Sequence, residues 1–207
     1  MSRKTVLIPA VELAEPEHGE LLELLIEPAG LGAGAEPQLE LLYAHGLGVA
    51  VAAAQAALST ARLPPPARSL ISPATWLGPP VLYLANPRAN LSNAAGAALG
   101  IALGLLLYAQ RCPGQRLLAT GALTISVASP VKIGPDRWLA DKLKLALALG
   151  SQEQPLPFLV PAQVTPGVPT QTRCAVLIAA LARLNIHVVP VNSLEEAVAA
   201  CRRLVDG

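Results

Sequence analysis

Short apolar or alternating runs at residues 5–10, 21–27 and 38–44, cut by Pro16, Pro28 and the glycine-rich stretch GLGAGAEP, predict three strands near the start of the chain. Gly48 to Arg62, GVAVAAAQAALSTAR, carries at most one polar residue per turn and predicts a helix. LPPPARSLISP ends it, because proline lacks an N–H and cannot continue the helix. VLYLA at 81–85 reads as a buried strand and NPRANLSN as a polar loop. Ala94 to Ala109 follows as a long apolar helix capped by Ser92 or Asn93.

The alternation continues to the end of the chain. Residues 116–133 hold two β-rich runs, and Asp136 opens a helix, DRWLADKLKLALALG, that Gly150 stops. PFLVPA is a strand, Thr170 to Leu184 a helix, and IHVVPV a strand. SLEEAVAACRRLVDG is an amphipathic helix with Ser193 as cap and Glu196 at the capping-box position. No internal repeat is visible, which excludes a solenoid. The pattern predicts a mixed α/β, α+β domain spanning residues 1–207, with 1–21 as a peripheral N-terminal extension.

Composition narrows the function classes. The 207 residues are 53% hydrophobic and 14% charged with a net charge of +1, enough apolar side chain for a core and too little basic excess to track phosphates. Nucleic acid is therefore not an expected partner. Eight of the fourteen acidic residues lie between Glu12 and Glu40, which predicts a solvated rim there. The N-terminal apolar run TVLIPAV is too short for a signal peptide and leads into glutamates, so the chain reads as cytoplasmic.

Sixteen residues without a polar side chain, AAGAALGIALGLLLYA, raise the question of a membrane anchor. The stretch falls short of the ~18–20 residues a bilayer needs, and much of it is Ala and Gly. Gly96, Gly100 and Gly104 make a ridge that admits a close neighbour in a soluble core as well as in a membrane, and the segment is expected to be a buried soluble helix.

Most catalytic signatures are missing. There is no GxxxxGK[ST] and no GxGxxG after a strand, so no P-loop or dinucleotide fingerprint is present, and GLGAGAE at 30–36 reads as a flexible turn. Cys112, Cys174 and Cys201 form no CxxC pair, and with His18, His45 and His187 they give no metal-ligand spacing. Neither metal nor cofactor is expected. His45 and His187 read as core or surface residues, Asp136 and Asp141 as a cap and a surface charge.

Five segments occur in an order that resembles the Lon protease proteolytic domain: ELLYAHGLGVAVAAAQAAL, VLYLANPRANLSNAAGAALGIALGLL, ATGALTISVASPVKI with LADKLKLALALG, FLVPAQ, and LNIHVVPVNSLEEAVAAC. The resemblance covers residues 22–201 and implies a Lon-like fold, related to that of the GHMP kinases. PRANLSNAAGAALG also echoes the GHMP phosphate loop, but it has few glycines and no lysine.

Lon-type chemistry needs a serine to attack the carbonyl and a lysine to accept its proton. The family's PSAG motif is matched by Asn93, Ala94, Ala95 and Gly96, so the resemblance puts Ala94 at the nucleophile position. Counting back from Gly150 puts Ala140 at the base position, and a different gap puts Arg137 or Lys142 there. The family's TGEIT reads TGALT, keeping Thr120 and Thr124 and replacing the glutamate by Ala122, while Leu91 stands where an acidic residue precedes the serine. A methyl group neither attacks nor accepts a proton, so no catalytic residue is expected at Ala94 or Ala140. Asn93, Thr120 and Thr124 are then the polar positions left for binding.

The resemblance thus implies a pseudoprotease that serves as a binding or assembly module. The alternative is an active, ATP-independent serine peptidase with Ser92 as a displaced nucleophile and Lys142, Lys132 or Lys144 as base; otherwise Ser92 is a cap and Lys142 and Lys144 lie on a solvated face. A homo-oligomer and a separately encoded AAA+ ATPase are the partners the resemblance implies, since the chain carries no motor of its own.

Overall fold

The computed structural model describes residues 4–11, 19–28, 38–44, 46–62, 80–85, 94–109, 116–124, 131–163 and 171–206. Ser92, Asn93, Leu91, His18, His45, Cys112, the glycine-rich turn at 30–36 and the proline-rich connection after Arg62 lie outside these residues.

Strands β1 (Lys4–Val11) and β2 (Gly19–Pro28) pair antiparallel along the whole length of β1, Lys4 opposite Ile26 and Val11 opposite Gly19. β3 (Pro80–Leu84) continues antiparallel on the far side of β2. On the other side of β1 run β4 (Arg116–Ala119), β7 (Leu156–Pro161) and β8 (Ile186–Val191), all parallel. The six-stranded sheet has the order β3-β2-β1-β4-β7-β8. β1 is thus an interior strand, and this part of the 1–21 segment belongs to the core rather than to a peripheral extension. A separate ribbon pairs β5 (Leu123–Thr124) with β6 (Lys132–Ile133).

Successive side chains of a strand face opposite ways, and the sheet uses both faces. Val6 and Ile8, Leu22, Leu24 and Ile26, Leu117 and Ala119, and Leu159 join one core with α2 (Gly48–Thr60), α3 (Ala98–Ala109) and α6 (Leu194–Asp206). Leu7, Leu118, Phe158 and Val160 join a second core with α4 (Leu139–Ala146) and α5 (Gln171–Arg183). The result is a three-layer mixed α/β arrangement.

Every residue of α3 from Ala98 to Tyr108 is buried, as expected of a helix that is apolar all round and enclosed by protein. Its glycine ridge sets how closely the helix approaches the sheet: a Cβ on Gly100 would stand 2.7 Å from Ile8 Cγ1, and one on Gly104 3.0 Å from Ile26 Cδ1. Among the described residues no helix is long and apolar enough to cross a membrane.

Residues 38–44 depart from the strand the sequence predicts. Gln38 makes an isolated bridge to Val81, and α1 (Glu40–Ala44) follows. Leu39 and Leu42, three apart, are buried, while Leu41 and Tyr43 are about half exposed, at 48% and 51%. That is helical spacing, and a run this short fits either period. α4 begins at Leu139, three residues after Asp136, and ends through a 3-10 turn at Gly150, whose φ of 66° suits glycine. The remaining strands and helices fall where the pattern predicts them.

Candidate functional site

The site forms where α3 begins. A 3-10 turn, Ala94–Ala97, leads into the helix and is held by the chain leaving β4. The Gly121 N–H donates to Gly96 O at 2.9 Å, and the Leu99 N–H donates to Gly121 O at 3.1 Å. Thr120 is fully buried; its N–H donates to Leu159 O at 3.1 Å, and its hydroxyl faces Gly96 O across a long 3.5 Å.

The opposite wall comes from the turn before α4. Asp136 accepts the Trp138 N–H on Oδ1 at 2.9 Å, so its carboxylate caps the turn rather than the helix end. Its Oδ2 accepts from Lys142 Nζ at 2.6 Å, and the two side chains are only 9% and 7% exposed. Lys142 extends along the underside of the α3 entry turn: a Cβ on Gly96 would lie 3.0 Å from Nζ and 3.9 Å from Thr120 Oγ1. Glycine at 96 is what leaves room for the ammonium.

Between these walls lies a cleft of about 240 Å³. Ala95, Gly96 and Ala122 line one side; Pro135, Asp136, Arg137, Trp138 and Lys142 line the other. Arg137 is exposed at the rim with its guanidinium 4.4 Å from the centre of the Trp138 ring, a cation–π contact. Among the described lining residues none carries a hydroxyl or thiol, and the one carboxylate is already paired with the one lysine.

The positions singled out from sequence separate clearly. Ala140 is buried against Leu139 and Leu143 in the second core, facing away from the cleft, since two helical residues are about 200° apart. Lys142 is the lysine that reaches the α3 entry turn. Lys144 is exposed, and Lys132 stands exposed in β6 opposite Thr124. Thr120 belongs to the wall behind Gly96, while Thr124 is exposed and lines no part of the cleft. The α3 entry turn contains Ala94, and Ser92 and Asn93 lie outside the described residues.

His187 is exposed and faces Asn185 Oδ1 at 3.1 Å, and Asp141 pairs with Arg173 at 3.2 Å. Among the described residues no three His, Cys, Asp or Glu side chains converge as metal ligands would.

The Asp136–Lys142 pair and the Trp138–Arg137 stack are what the sequence reading missed. One signal for the pair was present: Leu139, Lys142, Leu143 and Ala146 share the i, i+3, i+4, i+7 spacing of a core-facing stripe, and a lysine on that stripe must find a buried partner. No family model matches the chain, and no curated protein matches it.

Proposed function

We propose that the chain is a catalytically inactive Lon protease-like domain that acts as a binding or assembly module. The observation that carries this reading is the buried contact between Lys142 and Asp136 beside Gly96. An ammonium that donates to a carboxylate has no lone pair with which to accept a proton from a nucleophile. Ala95 and Gly96, the described residues facing it, offer no group to activate. The family assignment itself rests on the order of the five sequence blocks. The mixed sheet, with a buried lysine brought to the start of the long apolar helix, agrees with it.

A second reading keeps activity. Lys142 lies against the turn that opens α3, and Ser92 stands two residues before that turn, so a serine–lysine pair of unusual spacing is the specific alternative. Incubation with unfolded casein and a fluorogenic peptide library decides between them. The inactive module predicts turnover no greater than that of the Lys142→Met variant; lysine-dependent turnover replaces it with a peptidase. For the assembly role, self-association and capture by a separate AAA+ ATPase are the partner classes proposed, and sedimentation as a monomer at working concentration would remove the first.

A further inference from the structure

We infer that the cleft between the α3 entry turn and the turn before α4 is a binding site for the carboxylate of an apolar ligand. The inference rests on the reading that this cleft binds rather than cuts.

The described residues that line the cleft carry more side-chain donors than acceptors. Lys142 offers three N–H bonds, and among the described residues only Asp136 accepts one of them. The Trp138 indole N–H is buried with no acceptor among the described residues. Arg137 is exposed and has no carboxylate partner among them; its contact with the Trp138 ring fixes the guanidinium at the rim. Among the described residues the one side-chain acceptor of the cleft is spent, because Asp136 takes the Trp138 backbone N–H on one oxygen and Lys142 on the other. Buried donors without acceptors are costly, and a ligand that supplies negative oxygens relieves that cost.

The charge and shape of the site choose among anions. Among the described lining residues, Arg137 and Lys142 against Asp136 leave a single net positive charge, which suits a monoanion better than a phosphate. A guanidinium presents paired N–H bonds that match the two oxygens of a carboxylate. Ala95, Ala122, Pro135 and the indole face make the rest of the wall apolar, so the body attached to the carboxylate is apolar too. A volume of about 240 Å³ admits a fragment the size of one amino-acid residue. A free acid and the C-terminal residue of a peptide present the same chemistry to such a site.

Calorimetric titration of the intact chain tests this with four probes, N-acetyl-leucine, the pentapeptide acetyl-Ala-Ala-Ala-Ala-Leu and the C-terminal amide of each, and with inorganic phosphate as competitor. Either acid should bind about tenfold or more tightly than its amide, a loss typical of one charge-assisted pair. Binding of both acids marks a small-acid site, and binding of the pentapeptide alone marks a chain terminus. Arg137→Ala, a change at an exposed position, should weaken the acid by about tenfold and leave the amide unchanged; Trp138→Phe, which keeps the ring and removes the N–H, should weaken it less. Equal affinity for acid and amide, no binding of either acid, or displacement by equimolar phosphate would overturn the inference. Mass spectrometry of the recovered pentapeptide separates the two readings: a cleaved peptide removes the inactive-module reading, whereas an intact, unbound one removes only the carboxylate site.

Discussion

Lys142 Nζ lies 2.6 Å from Asp136 Oδ2, six residues away in sequence, and both side chains are more than nine-tenths buried. Residues six apart do not face one another on a helix. The pair forms because Asp136 precedes α4 in a turn that folds back over its first residues.

Breaking one half of that pair should cost more than removing both. Lys142→Met leaves a buried carboxylate without its cation and is expected to lower unfolding free energy by about 3 kcal/mol. Asp136→Asn keeps an oxygen for the Trp138 N–H but strands the ammonium, at a similar cost. In urea denaturation the double variant should recover most of the loss, giving a coupling energy above about 1 kcal/mol. Additive losses would show that the two groups are not paired in solution.

The glycine ridge of α3 makes a graded prediction. Alanine at Gly100 meets Ile8 at Cγ1 and Cδ1, 2.7 and 2.8 Å away, near the base of a β-branched side chain that is fully buried. Overpacking there should destabilise by about 1–3 kcal/mol despite the better helix propensity of alanine. Alanine at Gly104 meets the terminal Cδ1 of Ile26 at 3.0 Å, with Ile26 Cγ1 and Val6 Cγ2 at an ordinary 3.5 Å, and should cost less. Thermal melts in which Gly104→Ala is the more damaging change would contradict the packing described.

The fold was legible because strand and helix periods are carried by long apolar sets: Val6, Ile8 and Leu7 alternate between the two cores, and α3 is apolar on every side. The 38–44 run was misread because LELLY satisfies both periods, and only the bridge of Gln38 to Val81 decides where the strand stops. The lysine register was hidden for a different reason. Residues 131–138 form a ribbon strand and a turn with no periodic pattern, so nothing local fixes where α4 starts. A shift of two residues exchanges the core-facing Ala140 for the cleft-facing Lys142. The contact of Lys142 with Gly96 is tertiary, between segments far apart in the chain, and the spacing within α4 marks the lysine as buried without naming that neighbour.

Alkaline stability should fall through Cys174. Burial pushes its thiol above the ordinary value of 9.0, and Asp141 and Asp136 add to this, while Arg173 opposes it. The folded state therefore holds the proton to higher pH than the unfolded chain does. The associated stability is complete below pH 9 and is lost as pH rises from there through the folded value. Burial moves Tyr108 the same way from 10.0. Unfolding free energy measured from pH 7 to 11 should decline above pH 9, and Cys174→Ala should flatten the first part of the decline; parallel curves would refute the role of the thiol.

At the C-terminal helix, Ser193 Oγ accepts the Glu196 N–H at 3.1 Å, and the Glu196 carboxylate accepts the Asn192 N–H at 2.7 Å, one residue before the usual capping-box donor. Ser193→Ala should cost about 1 kcal/mol. Chemical denaturation is the check, and a neutral Ser193→Ala would mean that the helix start is held without the serine hydroxyl, by Glu196 through Asn192 and by Glu195 through its bonds from the Arg62 and Val131 N–H groups.

Intact-mass measurement after treatment with a fluorophosphonate probe tests the absence of an activated nucleophile most directly. An inert cleft predicts an unmodified chain after prolonged exposure. A stoichiometric adduct on Ser92, lost in both Ser92→Ala and Lys142→Met, would contradict it and identify a working serine–lysine pair.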